Sequence, residues 1–252
     1  MAETDQFERT KYKATLQYLG TSYHGWQKQE HDLTVQEVME STLSRLAGDS
    51  VKVVGASRTD AGVHAKGQVA HFFFPAKDSV PNLKKAANAI LPKDIRIKAL
   101  TKASPEFHAQ SHARRKRYEY HIYSGDVFPP FLCNRAIHVG YSLDLSLLNR
   151  AASLFLGTHD FSGFAASSTT VRNRVRSLFV SSFTKSGAHF VYRVEADGFL
   201  HHMIRNIVGT LLEISRGKLK VESVTEILRC RDRSMAGPTA PAEGLYLVRI
   251  WY

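Results

Sequence analysis

The sequence predicts an α+β protein built from two βαββαβ halves with mainly antiparallel sheets. Three observations carry that prediction. Apolar residues alternate at a period of two around residue 12, the period lengthens to that of a helix from residue 34, and a similar succession of strand and helix signals returns after residue 115. The chain has 252 residues, 43% of them hydrophobic, which is ample for a core. The first half is placed at residues 1–105 and the second at 106–252, meeting through a junction near 101–112.

In the first half, Tyr12, Ala14, Leu16 and Tyr18 alternate with Lys13, Thr15 and Gln17, which predicts a half-buried strand over 12–18. From Thr34 onward Val35, Val38, Met39, Leu43 and Leu46 fall on one helical face, and Thr34 with Glu37 has the spacing of a capping box. Strands follow at 51–54 and 68–74, the second closed by Pro75. A short helix over 83–91 ends before Pro92, and a strand covers 95–100. This order is that of a ferredoxin-like unit, in which both helices cover one sheet face.

The second half predicts a strand over 116–123, a helix over 145–156 and strands over 175–184 and 190–196. Helices over 199–215 and 221–228 and a last strand over 245–251 complete it. The halves show no visible sequence repeat, so their relation rests on element order. No low-complexity linker separates them, which predicts a shared sheet or a tight interface.

Charge and motifs narrow the function. Thirty-four Lys and Arg against 23 Asp and Glu give a net charge of +11, which favours a polyanionic partner such as nucleic acid. Cys133 and Cys230 are the only cysteines and lie far apart, which excludes a disulfide framework or a Cys-x-x-Cys pair and suits a reducing cytoplasm. The start, MAETDQFERTKYK, lacks an apolar stretch of signal-peptide length, and no run reaches the roughly 20 apolar residues of a membrane helix. Twelve histidines include no His-Glu-x-x-His, adjacent His201 and His202 would point in different directions on a helix, and neither a P-loop nor a dinucleotide fingerprint occurs. A metal or nucleotide cofactor is therefore not expected.

Three segments can carry chemistry. In GASRTDAGVHAKGQVAHF (55–72), Asp60 falls in the connection between two strands. An Asp-Ala-Gly turn has an ordinary structural use, because the carboxylate accepts backbone N–H bonds and the glycine supplies positive φ. Arg58 nearby offers another role, pairing with the carboxylate and holding it ionised as nucleophile or base. In HARRKRYEYHIY (112–123), one strand face carries Arg115, Arg117, Glu119 and His121, and the other Lys116, Tyr118, Tyr120 and Ile122. A face of cation and aromatic can meet both phosphate and base; one of Tyr118 and Tyr120 is expected in the core and the other at the site. In FLHHMIRNIVGTLLEISRG (199–217), Arg205 stands in an apolar helix and needs a carboxylate, for which Asp60, Glu195 and Glu213 are candidates.

These motifs resemble those of the tRNA pseudouridine synthase A family along nearly the whole chain. The likeness runs through YLGTSYHGWQKQ (18–29), TVQEVMESTLSRL (34–46), the Asp60 stretch, NAILPKDIRI (88–97) and RKRYEYHIY (115–123). It continues in LGTHDFSGF (156–164), FLHHMIRNIVGTLLEI (199–214) and GPTAPAEGLYLVRIWY (237–252). The resemblance implies two ferredoxin-like halves with joined sheets and a central basic cleft, in a cytoplasmic homodimer that binds tRNA. It implies isomerisation of uridine to pseudouridine at positions 38, 39 and 40 of the anticodon stem-loop, with neither cofactor nor metal. Carried over by residue, Asp60 is the essential carboxylate, Tyr118 lies against the target base, Arg205 pairs with Asp60, and Arg58 displaces or holds the flipped nucleotide. Gln110 and Ser111 depart from the family pattern, where an Arg and an aromatic are usual, and Ser57 replaces a usual Gly. The competing expectations are a non-catalytic RNA-binding or chaperone protein of the same fold and an Asp-dependent nucleosidase.

Overall fold

The computed structural model describes residues 9–75 and 79–252. The chain divides into a first unit that ends at Ala113 and includes Tyr252, and a second unit, Arg114–Trp251. Residues 1–8, most of the stretch read for a leader, lie outside the described residues. Both units are α+β with mostly antiparallel strands.

The first unit runs β1 (Arg9–Tyr18), α1 (Val35–Ala47), β2 (Val53–Gly55), β3 (His64–Pro75), α2 (Val80–Ile90) and β4 (Ile95–Lys102). Its strands lie in the order β4-β1-β3-β2, each neighbouring pair antiparallel. The period of two in β1 has its expected result, since Tyr12, Ala14, Leu16 and Tyr18 are all buried. Tyr12 stacks on Phe72 with ring centroids 5.8 Å apart, and Val35, Met39 and Leu43 of α1 and Leu83 and Ala87 of α2 are buried as well. Thr34 caps α1, its side chain accepting from the Glu37 N–H at 3.4 Å, an arrangement worth about 1 kcal/mol.

β3 starts at His64, earlier than the alternation suggested, because pairing with β1 continues as far as Tyr18 opposite Ala65. The run His64-Ala65-Lys66-Gly67 has no apolar period of its own, so partner backbone decides its conformation. Beyond β4, residues 103–113 stay with the first unit. The Ala109 N–H donates to His71 Nδ1 at 3.1 Å, Lys11 Nζ donates to the Phe107 carbonyl at 3.1 Å, and Tyr252 Oη donates to the Ala109 carbonyl at 2.9 Å.

The second unit contains β5 (Arg115–Tyr123), β6 (Ile137–His138), α3 (Leu145–Ser153), β7 (Gly157–Asp160) and β8 (Val175–Ser186). It continues with β9 (His189–Ala196), α4 (Met203–Ser215), α5 (Ser223–Cys230) and β10 (Leu245–Trp251). The order is β10-β5-β9-β8-β7, antiparallel throughout, with β6 parallel to the end of β5. In this unit three helices differ from expectation in their limits. α3 stops at Ser153, because Leu154, Phe155 and Leu156 tighten into i→i−3 bonds. α5 lies two residues later than its periodicity suggested.

α4 begins at Met203, not Phe199, because His202 takes a left-handed conformation (φ 59°) and the His201 carbonyl accepts from the Ala166 N–H at 2.9 Å. His201 and His202 therefore stand outside the helix, their rings 3.9 Å apart, instead of diverging along it. Among the described residues no helix is long and apolar enough to cross a membrane.

Candidate active site

Asp60 lies in the connection from β2 to β3, half-buried, between buried Thr59 and exposed Ala61. Its carbonyl accepts from the Val63 N–H at 3.1 Å, and Gly62 within that turn has φ 80°, a conformation that a β-carbon would strain. The turn reading of Asp-Ala-Gly is therefore correct for the backbone. The strand end before the turn is clamped by Gln68, fully buried, whose Nε2 donates to the Ser57 carbonyl at 2.6 Å and whose Oε1 accepts from the Ser57 N–H at 3.3 Å. After the turn, His64 Nδ1 accepts from the Gly20 N–H at 2.9 Å.

Arg58 is exposed and pairs with no carboxylate among the described residues. An Arg58–Asp60 pair, one of the sequence readings, is not formed: no ion pair joins the two side chains, and Arg58 is exposed. Arg58 is left facing solvent, where it can meet a phosphate.

The other two expected residues belong to the second unit. Tyr118, in β5 opposite Leu247 and Val194, is buried and meets Phe199 edge to face with centroids 5.2 Å apart. Tyr120 is buried too, so both tyrosines enter the packed interior and not one alone. They still differ in use: the Tyr120 hydroxyl donates to the Pro241 carbonyl at 2.6 Å, which ties β5 to the turn before β10. Burial and the negative charge of Glu243 raise the Tyr120 pKa, against a smaller opposing effect of Arg205.

Arg205 is half-buried on α4, with its Nε donating to the Ala240 carbonyl at 2.8 Å while its own carbonyl accepts from the Ala240 N–H at 3.1 Å. The two acids of its own unit that the sequence offered as partners are engaged with other cations. Glu213 pairs with Arg216 at 3.0 Å and Lys218 at 3.4 Å, and Glu195 pairs with Arg115 and Arg117. The arginine-bearing face of β5 thus spends two cations internally. Lys116, on the Tyr118 face, has its pKa brought down to about 8, chiefly by burial and then by the charge of Arg176.

A family model described as tRNA pseudouridine synthase matches residues 14–110 and 151–252. The chain belongs to this family. It is 43% identical over 240 residues to a tRNA pseudouridine synthase A of Acetivibrio thermocellus, covering 95% of this chain and 98% of the relative. It is 44% identical over 246 residues to one of Streptococcus thermophilus, covering 96% and 99%, and 41% identical over 245 residues to one of Protochlamydia amoebophila, covering 96% of each.

For a pseudouridine synthase the two matched stretches matter, since one contains Asp60 and Arg58 and the other Arg205. Sequence reasoning passed over several supports of these residues. Phe199 beside Tyr118 and Tyr18 on Thr59 join positions far apart in the chain, and Gln68 on Ser57 spans the turn itself. Their only local signal was polarity in an apolar run, as with Gln68. Chemically the first unit presents one carboxylate on a braced turn, and the second presents an aromatic on a central strand with Lys116 two residues before it.

Proposed function

We propose that this chain isomerises uridine to pseudouridine in tRNA, with Asp60 as its essential carboxylate. The observation that carries the reading is the family match through both units together with Asp60 held on a turn whose two flanks are clamped. In the reaction the N1–C1′ bond breaks, a C5–C1′ bond forms, C5 loses its proton and N1 gains one. Neither oxidation nor net hydrolysis occurs, so the reading invokes no cofactor and no metal. An ionised Asp60 serves each conceivable first step: attack on C1′, addition to C6, or removal of the C2′ proton.

The finer assignments belong to the same reading. The target is taken as positions 38, 39 and 40 of the anticodon stem-loop, whose bases must leave the stack to react. Tyr118 lies against the flipped base and relays the C5 proton, its phenol oxygen taking that proton as its own hydroxyl proton passes on. Arg205 pairs with Asp60, a role supported by the engagement of Glu195 and Glu213 with other cations. Arg58 holds the displaced nucleotide. Each unit is read as ferredoxin-like, supported in the first by the β4-β1-β3-β2 order, with the sheets joined beside a basic cleft. The enzyme acts as a cytoplasmic homodimer.

Mapping pseudouridines in tRNA from a host with and without this protein tests the reading, alongside Asp60→Ala in vitro. Loss of pseudouridine at 38–40 without the protein is expected, and the purified chain should restore it while Asp60→Ala binds tRNA without product. Unchanged maps, free uracil as product, or normal turnover by Asp60→Ala would each refute it.

A further inference from the structure

The Asp60 turn is surface backbone, yet the residue before it is fixed from three sides. Thr59 is 7% exposed, and its Oγ1 is 2.8 Å from the hydroxyl of Tyr18, itself 3% exposed. Tyr18 ends β1, the strand paired with both β3 and β4, opposite Ala65 on one side and Ile95 on the other. Its ring lies 6.1 Å from that of buried Trp26.

The backbone of Thr59 is held as well. Its carbonyl accepts from the Trp26 N–H at 3.0 Å, and the segment that supplies this donor is anchored on α1, where the Val35 and Gln36 N–H groups donate to the carbonyls of Gly25 and Trp26 at 3.1 and 3.0 Å. Gly25 has φ 85°, and a β-carbon there would sit 2.4 Å from the Thr59 carbonyl oxygen, so only glycine permits the approach. Beyond Asp60, the Gly62 N–H donates to the Tyr23 carbonyl at 3.2 Å. The Tyr23 hydroxyl in turn donates to Asp94 Oδ1 at 2.7 Å.

We infer that Tyr18 is a positioning residue for the reaction, acting through its hydroxyl pair with Thr59 to set the direction in which the Asp60 carboxylate leaves the turn. The inference rests on the proposed synthase activity. A carboxylate that must reach one sugar or base atom loses rate steeply when displaced, whereas RNA binding over a broad surface does not. The role therefore falls on turnover and not on affinity. A phenylalanine at 18 keeps the ring beside Trp26 and removes only the oxygen, leaving the buried Thr59 hydroxyl without this partner.

The test compares wild type, Tyr18→Phe, Thr59→Val, Thr59→Ser and the double variant Tyr18→Phe/Thr59→Val, with Asp60→Ala as reference. Pseudouridine formation on a tRNA transcript gives kcat and KM, filter binding gives tRNA affinity, and thermal melting reports folding. Tyr18→Phe is expected to lose about 10- to 100-fold in kcat with KM and affinity within about twofold of wild type. Thr59→Val should match it, Thr59→Ser should recover most of the rate, and the double variant should be no worse than either single.

Wild-type kcat in folded Tyr18→Phe, or additive losses in the double variant, would overturn the inference. So would a loss that appears in KM or affinity instead of kcat. Should Tyr18→Phe fail to fold, the contrast of Thr59→Val with Thr59→Ser decides by the same criteria. A wild-type protein that makes no pseudouridine refutes the synthase reading and this inference with it; an active wild type with inactive Asp60→Ala and unimpaired Tyr18→Phe refutes this inference alone.

Discussion

Arg117 and Glu195 stand opposite each other in the register of β5 with β9, and their side chains are ion-paired while Glu195 is only 1% exposed. Arg115 binds the same carboxylate. Its burial lets one acid hold two cations on adjacent positions of one strand face. Glu195→Gln should therefore leave two guanidiniums repelling each other beside a neutral amide. Since both arginines still reach water, the expected cost is about 2 kcal/mol, below the roughly 3–5 kcal/mol of a fully buried pair. A urea titration that shows an unchanged midpoint would contradict the structural weight given to this pair.

Asp60→Asn keeps the shape of the side chain and removes its charge. Gln68, Gly20, Tyr23 and Trp26 hold the backbone on either side of the turn, so the variant should still fold in a cooperative transition. Turnover should fall by at least about 10³-fold, as for loss of a nucleophile or base. Single-turnover nucleoside analysis measures this, and comparable rates for Asn and Asp would remove Asp60 from the chemistry.

Arg58 is exposed and lacks a carboxylate partner among the described residues, so Arg58→Ala should leave stability within about 0.5 kcal/mol of wild type. If it meets a phosphate, the slope of log affinity against log salt should become shallower by about one unit. Binding isotherms at several salt concentrations test this; an unaltered slope would place Arg58 away from the RNA backbone.

His71 is buried on β3, accepts from the Ala109 N–H through Nδ1, and has its pKa lowered to about 4 by burial first, then by His108 and Lys11. An unfolded histidine binds its proton near pH 6.5, whereas the folded one stays neutral until about pH 4. The unfolded chain therefore binds more protons in between, and stability should fall as pH drops from about 6.5 towards 4. His71→Asn offers an amide oxygen in place of Nδ1 but does not titrate. Melting temperatures across this window should fall less steeply for the variant, and parallel curves would show that other groups govern acid unfolding.

Much of the architecture could be read from local pattern. The buried alternation of β1, the capped start of α1 and the last strand, Leu245–Trp251, follow from periodicity and capping chemistry, which act over a few residues. The differences arise where long-range contacts decide. Phe199–His202 is apolar enough to read as helix, yet the His201 carbonyl is taken by Ala166 and His202 turns left-handed. β6 and β7, of two and four residues, are too short to show a period and exist because β5 and β8 offer them backbone partners.

The same division holds at the candidate site. The sequence by itself determined which candidates are available: the order of motifs identifies the family, and Asp60, Tyr118, Arg58 and Arg205 are the candidate residues legible within them. Tertiary structure alone decided their surroundings. It separated Arg58 from the carboxylate two residues away, buried both tyrosines of β5, occupied Glu195 and Glu213 with other cations, and placed Tyr18 against Thr59 across 41 positions of chain. Identity is a local property of a chain, but hydrogen-bond partners, burial and the charge a group feels are set by whatever folding brings alongside it.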